Sequence, residues 1–352
     1  MNTLQKRQWL AALLCLASLS ACPTTPEDGP RKSPTLYYFT WSDYVSPELI
    51  VEFEKQAGVK VVVDTFGSNE ELLAKLQGGA TGYDVAVPSD FMVSIMARQG
   101  LLAELQLEQI PNAKQLSERL QRLPFDPDNQ YSIPYLWGTV GIGYDSNVIS
   151  RQPDSWTVLW DPRYKGKISM LNDQREVFGV ALRVMGQSLN SRDPAVIVQA
   201  KAKLLSQKPL VKTYTSENYD QLLISGEVAL AHGWGGAVAR AMAERPSIKY
   251  VVPKEGGTIW SDCLVVLKTS RNRELATRFI NYLLDPTVAA RTTNRLLFAS
   301  SNRQAKALVD EQLRENPAVY PLDSTFDRLE WMADLGEAIR LYDRAWTELK
   351  MQ

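Results

Sequence analysis

The chain has 352 residues, 45% of them hydrophobic and 22% charged, with a formal net charge of −1. That length holds two ordinary domains, and the composition is globular rather than disordered. The balanced charge gives no basic face for nucleic acid.

The chain opens with an address. Lys6 and Arg7 form a positive start, and Trp9 to Leu19 is an apolar stretch too short to remain as a membrane-spanning helix. The run Leu19-Ser20-Ala21-Cys22 resembles a bacterial lipobox. Residues 1–21 are therefore expected to be a lipoprotein signal peptide, with Cys22 as the lipidated mature N-terminus. Residues 22–34, rich in Pro, Thr and charge, read as a flexible tether. Loss of 1–21 takes Cys15, and acylation occupies Cys22. Cys263 then has no partner for an intrachain disulfide, and its neighbours Leu264-Val265-Val266 place it in a core.

The body alternates strand and helix. Leu36 to Phe39 reads as a strand. Ser46 and Pro47 read as an N-cap and first helical residue of a helix that Gly58 stops after Ala57. Lys60 to Thr65 is a β-branched strand. Ser68-Asn69-Glu70-Glu71 is a capping box opening a helix to about Leu76. Asp84 to Val87 is a third strand, closed by Pro88 and followed by Ser89-Asp90-Phe91. This βαβαβ order predicts a mostly parallel sheet with helices on its faces.

Residues 131–144 change texture, being rich in Tyr, Trp, Pro and Gly. They read as a first crossing between two lobes. Beyond them come strand Ile168–Leu171, helices Glu176–Met185 and Pro194–Ser206, and strand Leu210–Tyr214. Helix Tyr219–Ser225, strand Val228–Ala231, helix Gly236–Ala243 and strand Ile248–Val252 follow. Asp262 to Leu267 reads as a second crossing strand, and helices fill most of the remainder. The fold class expected is α/β, with two lobes, two extended crossings and a cleft between them.

Ligands of open α/β sheets bind beyond the carboxyl ends of strands. Trp41-Ser42-Asp43-Tyr44, Ser89-Asp90-Phe91, Asp173 with Glu176, and Trp234 all occupy such positions. The tripeptide Trp-Ser-Asp also occurs twice, at 41–43 and 260–262. In extended backbone, residues i and i+2 point to the same side, so each copy can offer a ring face and a carboxylate to one visitor. That visitor is an organic cation, since rings attract cations and carboxylates bind ammonium groups by charge-assisted hydrogen bonds.

Enzyme chemistry is poorly represented. The single histidine, His232, lies by a strand end and reads as structural. One His and one free Cys cannot build a zinc-type site. Neither a phosphate loop nor a GxGxxG turn follows the first strand, and no serine-hydrolase or lactamase motif is present. Asp173 and Glu176 share one helical turn and so face one side of a substrate, unlike a glycosidase couple.

The ordered segments Tyr38-Phe39-Thr40-Trp41-Ser42-Asp43-Tyr44-Val45, Ser68-Asn69-Glu70, Tyr83-Asp84-Val85-Ala86-Val87-Pro88-Ser89, Tyr131-Ser132-Ile133-Pro134-Tyr135-Leu136-Trp137-Gly138, Arg175-Glu176-Val177-Phe178 and Pro253-Lys254-Glu255-Gly256-Gly257 stand out. Together they resemble the bacterial spermidine/putrescine-binding proteins, the receptors of polyamine ABC importers. The resemblance runs from about residue 35 to the C-terminus. It implies the type II periplasmic-binding-protein fold, with an N-terminal lobe of 35–139 plus 265–309 and a C-terminal lobe of 140–264 plus 310–352. It further implies a monomeric, periplasmic, membrane-tethered receptor that takes no cofactor, binds no nucleic acid and hands its ligand to an ABC permease.

The same resemblance assigns the pocket. Trp41, Tyr44, Trp234 and Trp260 match rings along the methylene chain. Asp173, Glu176 and Asp262 match carboxylates for ammonium groups. Ser42, Asp43, Ser89 and Ser216 match polar contacts. Phe91 and Phe298 stand where many members carry tyrosine, and Met332 stands where the spermidine type carries glutamine. Ser42-Asp43 and the tail Arg344-Ala345-Trp346-Thr347 look like the putrescine type, whereas Trp260 looks like the spermidine type. The preferred polyamine therefore stays open. The lost polar handles at Phe91, Phe298 and Met332 also leave a second reading, a polyamine-sensing or other organic-cation-binding lipoprotein without a transport role.

Overall fold

Alternating apolar residues set the first layer. The structure is a computed structural model and describes residues 33–42, 44 and 46–352. The expected signal peptide, Cys22 and most of the expected tether lie outside those residues, as does Asp43. In chain order the elements begin with β1 (Thr35–Trp41), α1 (Pro47–Ala57), β2 (Lys60–Phe66), α2 (Asn69–Gln77), β3 (Val85–Ala86) and α3 (Asp90–Arg98). The middle runs through β4 (Ser132–Asp145), β5 (Ile168–Met170), α4 (Gln174–Val184), α5 (Pro194–Gln207), β6 (Val211–Tyr214) and α6 (Tyr219–Ser225). Next come β7 (Leu230–Trp234), α7 (Gly235–Glu244), β8 (Ile248–Val251), β9 (Gly257–Val266), α8 (Arg273–Leu283) and α9 (Pro286–Leu296). The chain ends with β10 (Ala299–Ser300), α10 (Glu311–Arg314), α11 (Asp323–Phe326), β11 (Leu329–Trp331) and α12 (Ile339–Met351).

Local signals act largely as the residues suggest. Pro47 opens α1, and Gly58 closes it in the left-handed region at φ 68°. Ser46 holds the N-cap position, but its hydroxyl donates to Glu48 Oε2 at 3.0 Å instead of capping the backbone. At α2 the Glu71 N–H donates to Ser68 Oγ at 3.1 Å. The Glu71 carboxylate accepts from the Gly67 N–H, one residue upstream of the reciprocal bond of a full capping box.

The strands follow the path β2-β1-β3-β9-β4-β7-β5-β6, with β8 and β10 on β4 and β11 on β9. β1 is parallel to β2 and β3, and β5 is parallel to β6 and β7. β4 and β9 run antiparallel to each other between these two groups. The first part of β4 pairs with β9, and from Val140 it pairs with β7. Every residue of β4 is buried, so a single strand serves both groups.

The second crossing is longer than the residues suggest: β9 starts at Gly257, and Trp260 lies inside it. Trp41 likewise ends β1 instead of following it. β7 extends to Trp234, which puts His232 in mid-strand. The sheet as a whole is mixed, because β4 and β9 run against their neighbours along the main path, while β11 adds to β9 in parallel.

Burial on both faces explains the apolar runs of the first group. Leu36 and Tyr38 of β1, Val85 of β3, and Leu264 and Val266 of β9 join one core with Phe53 and Phe279. Their alternates Phe39, Ala86, Cys263 and Val265 join a second core with Phe66, Leu72 and Met96. Cys263 is buried and free, as its neighbours suggest. A third core gathers Ile142, Phe178, Leu204, Leu230 and Tyr342 around the other strand group. His232 is fully buried there, edge-on to Trp156 at 5.5 Å, and burial lowers its pKa to about 3. It is neutral and structural, as the sequence suggests.

Candidate functional site

The carboxyl ends of β1 and β3 and the middle of β9 meet at one carboxylate, Asp262. Its side chain is 5% exposed. Oδ2 accepts the Tyr44 hydroxyl and Oδ1 accepts the Ser89 hydroxyl, both at 2.6 Å. Ser89 is itself held from both sides by Asn69. Its backbone N–H donates to Asn69 Oδ1, and its hydroxyl accepts from Asn69 Nδ2, each at 3.0 Å. Burial pushes the Asp262 pKa up to about 6, and the two hydroxyl donors hold it from rising further.

A line of rings borders this acid. Trp41 and Tyr44 have centroids 6.5 Å apart, Tyr44 and Phe298 5.7 Å, and Phe298 and Trp260 5.3 Å, the last pair edge-to-face at 80°. Trp41 is fixed by an Nε1 donation to the Val87 carbonyl at 2.9 Å. Two glycines make room for the rings. A Cβ at Gly138, which faces Trp260 across the β4–β9 ladder, would sit 2.7 Å from Trp260 Cζ2. A Cβ at Gly236 would sit 2.2 Å from Phe298 Cε1.

The other strand group contributes α4. Asp173 is its N-cap and accepts the Glu176 N–H at 3.0 Å, so this acid already has a backbone partner that its spacing alone does not show. Glu176 is buried and accepts from the Thr258 hydroxyl at 2.8 Å, which ties α4 to β9 two residues from Trp260. Burial and then the Asp173 charge push Glu176 up to about 8; Asp173 is raised chiefly by burial.

The remaining expected residues differ in standing. Ser216 accepts from the Asn172 N–H at 3.1 Å, beside Asp173. Trp234 ends β7 and sits against Tyr219 at 6.3 Å, with the Tyr219 hydroxyl bonded to the Trp234 backbone. Met332 is buried one residue beyond Trp331, the register partner of Ile259 in β9. Phe91 is partly buried against the Phe39–Phe66 core. Ser42 is exposed at the end of β1. Of the expected set, Tyr44, Ser89, Asp262, Trp41, Phe298 and Trp260 form one chain of contacts, and Asp173, Glu176 and Ser216 form a second group.

Four residues outside the expected pocket set stand beside these groups, three of them within segments already noted in the sequence. Asn69 orients Ser89, and Thr258 orients Glu176. Arg175 is buried on α4 and bonds the Ala333 carbonyl and Asn190 Oδ1. Asp90 is only 1% exposed at the start of α3. The available signal was adjacency: Asn69 lies in the α2 capping segment, and Asp90 follows Ser89.

Acids and rings in this arrangement suit an elongated organic cation. A buried carboxylate is costly until a positive partner arrives, and rings add cation–π attraction while covering apolar carbon. Among the described residues, no three His, Cys, Asp or Glu side chains approach closely enough to hold one metal ion. Asp262 is instead bonded to one of the rings, Tyr44, while Glu176 is bonded to Thr258 of β9. A surface groove of about 500 Å3 opens elsewhere, between residues 103–109 and 273–278. Its charges are mixed (Glu104, Arg273, Glu274, Arg278) and it has no aromatic wall, so it lacks the features of a cation site.

Comparison with known proteins gives a consistent picture. A family model described as bacterial extracellular solute-binding protein matches residues 48–321. The chain is 38% identical to the spermidine/putrescine-binding periplasmic protein 1 of Haemophilus influenzae, covering 97% of both chains. It is 36% identical to a solved putative spermidine/putrescine ABC transporter protein from Listeria monocytogenes, with a TM-score of 0.85 over 91% of this chain and 99% of that one. A solved lipoprotein of Treponema pallidum, TpPotD, is 30% identical with a TM-score of 0.83, covering 90% of this chain and 100% of that one.

Proposed function

The chain belongs to the bacterial extracellular solute-binding protein family, whose members are receptors and not enzymes, and from that premise we propose that it is the polyamine receptor of an ABC importer. It captures putrescine or spermidine in the cleft and delivers it to a membrane permease. The observation that carries this reading is Asp262, a buried carboxylate clamped by Ser89 and Tyr44 beside the Tyr44–Phe298–Trp260 rings. A polyamine alternates ammonium groups with methylenes, and Asp262 beside these rings offers a partner to each kind of group.

In this reading Trp41, Tyr44, Trp234, Trp260 and Phe298 wall the methylenes, with Phe91 and Met332 as further apolar surface. Asp173, Glu176 and Asp262 take ammonium groups, and Ser42, Asp43, Ser89 and Ser216 supply polar contacts. The lobes are 35–139 plus 265–309 and 140–264 plus 310–352, closing about β4 and β9. The two strand groups have cores of their own, although Cys263 and Leu264 pack with the first group and Leu120, Leu123, Ala299 and Val309 with the second, across these boundaries.

The receptor is a periplasmic monomer tethered through lipid on Cys22; the likeness to a protein titled a lipoprotein favours the tether. Cys22→Ser is expected to move the protein from the membrane fraction to the soluble one, and retention in the membrane fraction would count against the anchor.

Calorimetric titration and thermal melting with putrescine, cadaverine, spermidine, spermine and agmatine test the main reading. Ligand bound only to the folded state raises the melting temperature, by about 2.7 kcal/mol of stabilisation at a hundredfold excess over Kd. Failure of all five amines to bind or shift the melt refutes it.

A further inference from the structure

Asn69 holds the Asp262 clamp from behind. It is the first residue of α2, directly after the Ser68 cap, and is 8% exposed. Its side chain makes two bonds to Ser89, and together they fix which way each group points. The Ser89 backbone N–H can only donate, so the Asn69 atom facing it at 3.0 Å is the carbonyl oxygen Oδ1. The amide nitrogen Nδ2 must then face the Ser89 hydroxyl, also at 3.0 Å, and donate to it. With the amide turned the other way, Oδ1 would compete with Asp262 for the Ser89 proton. As it stands, that proton has one acceptor among the described residues, Asp262 Oδ1 at 2.6 Å.

We propose that Asn69 is a positioning residue of this site: it makes the Ser89 hydroxyl a committed donor to Asp262 and so favours the charged carboxylate that an amine needs. The proposal rests on the polyamine reading above and deepens it. Asn69 acts through Ser89. The line of donors joins α2, the turn after β3, and β9, three segments that only the fold brings together.

The backbone at Ser89 has supports of its own. The Cys263 N–H donates to the Pro88 carbonyl at 2.9 Å, and the Met92 and Val93 N–H groups donate to the Ser89 carbonyl. Loss of the Asn69 side chain therefore leaves Ser89 in place but frees its hydroxyl. Asp262 then holds its charge less readily, because a carboxylate is favoured by a fixed donor. The titratable groups around Asp262 are Tyr38 and Tyr44 from β1 and the loop after it, Asp90 from α3, and Cys263 from β9. Its register partner on β4, Leu136, is apolar. Asp43 adjoins Tyr44 and lies outside the described residues. Substitutions at 69 and 89 leave all of these in place, so they cancel when a variant is compared with wild type.

The experiment is calorimetric titration of the full chain with putrescine and with spermidine, from about pH 6 to about pH 8, for wild type, Asn69→Ala, Ser89→Ala and the double variant. The Asp262 pKa stands at about 6 in the wild-type fold. Loss of a steady donor raises it by about one, so at about pH 6 an amine must displace a proton that wild type holds only half the time. Asn69→Ala is therefore expected to bind about fivefold more weakly at about pH 6 and within about twofold of wild type at about pH 8. Ser89→Ala is expected to lose at least as much. The double variant is expected to stay within about twofold of Ser89→Ala, because no hydroxyl is left to orient.

A loss for Asn69→Ala that is equal at both ends of the pH range would mark a purely structural role and overturn the proposal. So would no loss at about pH 6, or single-variant losses that multiply in the double variant. If Asn69→Ala fails to fold, Asn69→Ser serves in its place, since one short hydroxyl cannot meet both Ser89 groups, and the same outcomes support or overturn the proposal. Wild type binding neither amine is a different result, which removes the polyamine reading along with the proposal.

Discussion

Replacing Asp262 with asparagine removes one charge and little else. The carboxylate is 5% exposed and accepts two hydroxyl bonds of 2.6 Å from Tyr44 and Ser89. Asparagine keeps the volume and one acceptor, and the second hydroxyl can rotate to accept from the new NH2 group. The folded protein should therefore survive.

Binding should not. An ammonium about 3 Å from a carboxylate gains about 5 kcal/mol at an effective dielectric constant of about 20, less what both groups lose in desolvation. Losing one partner of a buried, hydrogen-bonded charge pair costs about 2–4 kcal/mol net, which is about a 30- to 1000-fold loss of affinity. Calorimetry with putrescine and spermidine at fixed ionic strength measures this, with a melt of the empty variant as the control for folding. A folded Asp262→Asn variant whose Kd for both amines stays within about threefold of wild type would refute the placement of Asp262 at the ammonium.

The ring wall and the acids make further predictions. Gly138→Ala puts a methyl group 2.7 Å from Trp260 Cζ2. Overpacking of this kind costs about 1–3 kcal/mol, so the melt should fall, and the displaced indole should lower amine affinity by about tenfold, one cation–π contact. Unchanged Trp fluorescence and unchanged affinity would show that the ring has room.

Stability should also depend on pH in a definite direction. Asp90 and Glu176 are pushed up to about 8 in the fold from 3.8 and 4.5. The folded state therefore keeps protons that the unfolded chain gives up, and stability falls as pH rises from about 4.5 to 8. His232, lowered from 6.5 to about 3 by burial, opposes this below pH 6.5, where the unfolded chain takes up the proton instead. Between pH 6.5 and 8 the acids act alone. The melting temperature of the empty protein should drop across that window, and saturating spermidine should flatten the curve. A rising melt over the same window would contradict the burial of these acids.

Much of the site was legible in the residues because it follows strand ends. Trp41, Tyr44, Ser89 and Asp262 stand where the carboxyl ends of β1 and β3 approach the crossing strand β9, and apolar runs located β1 and β3 and part of β9. Asp173 was legible as an acid but not as the cap of α4, because capping depends on where the first helical turn begins. Asp90 was legible only as a residue following the third strand; that its carboxylate lies buried against the Ser261 N–H of β9 depends on packing between segments far apart along the chain.

The amino-acid sequence by itself determined the alternating α/β order, the two-faced burial of β1 and β3, and the supply of rings and carboxylates, because these depend on local periodicity and side-chain type. The tertiary structure decided which acids are buried, how far β9 extends, and why Gly138 and Gly236 must be glycine. Those features depend on long-range register and the approach of distant backbone, and no local pattern of residues encodes either.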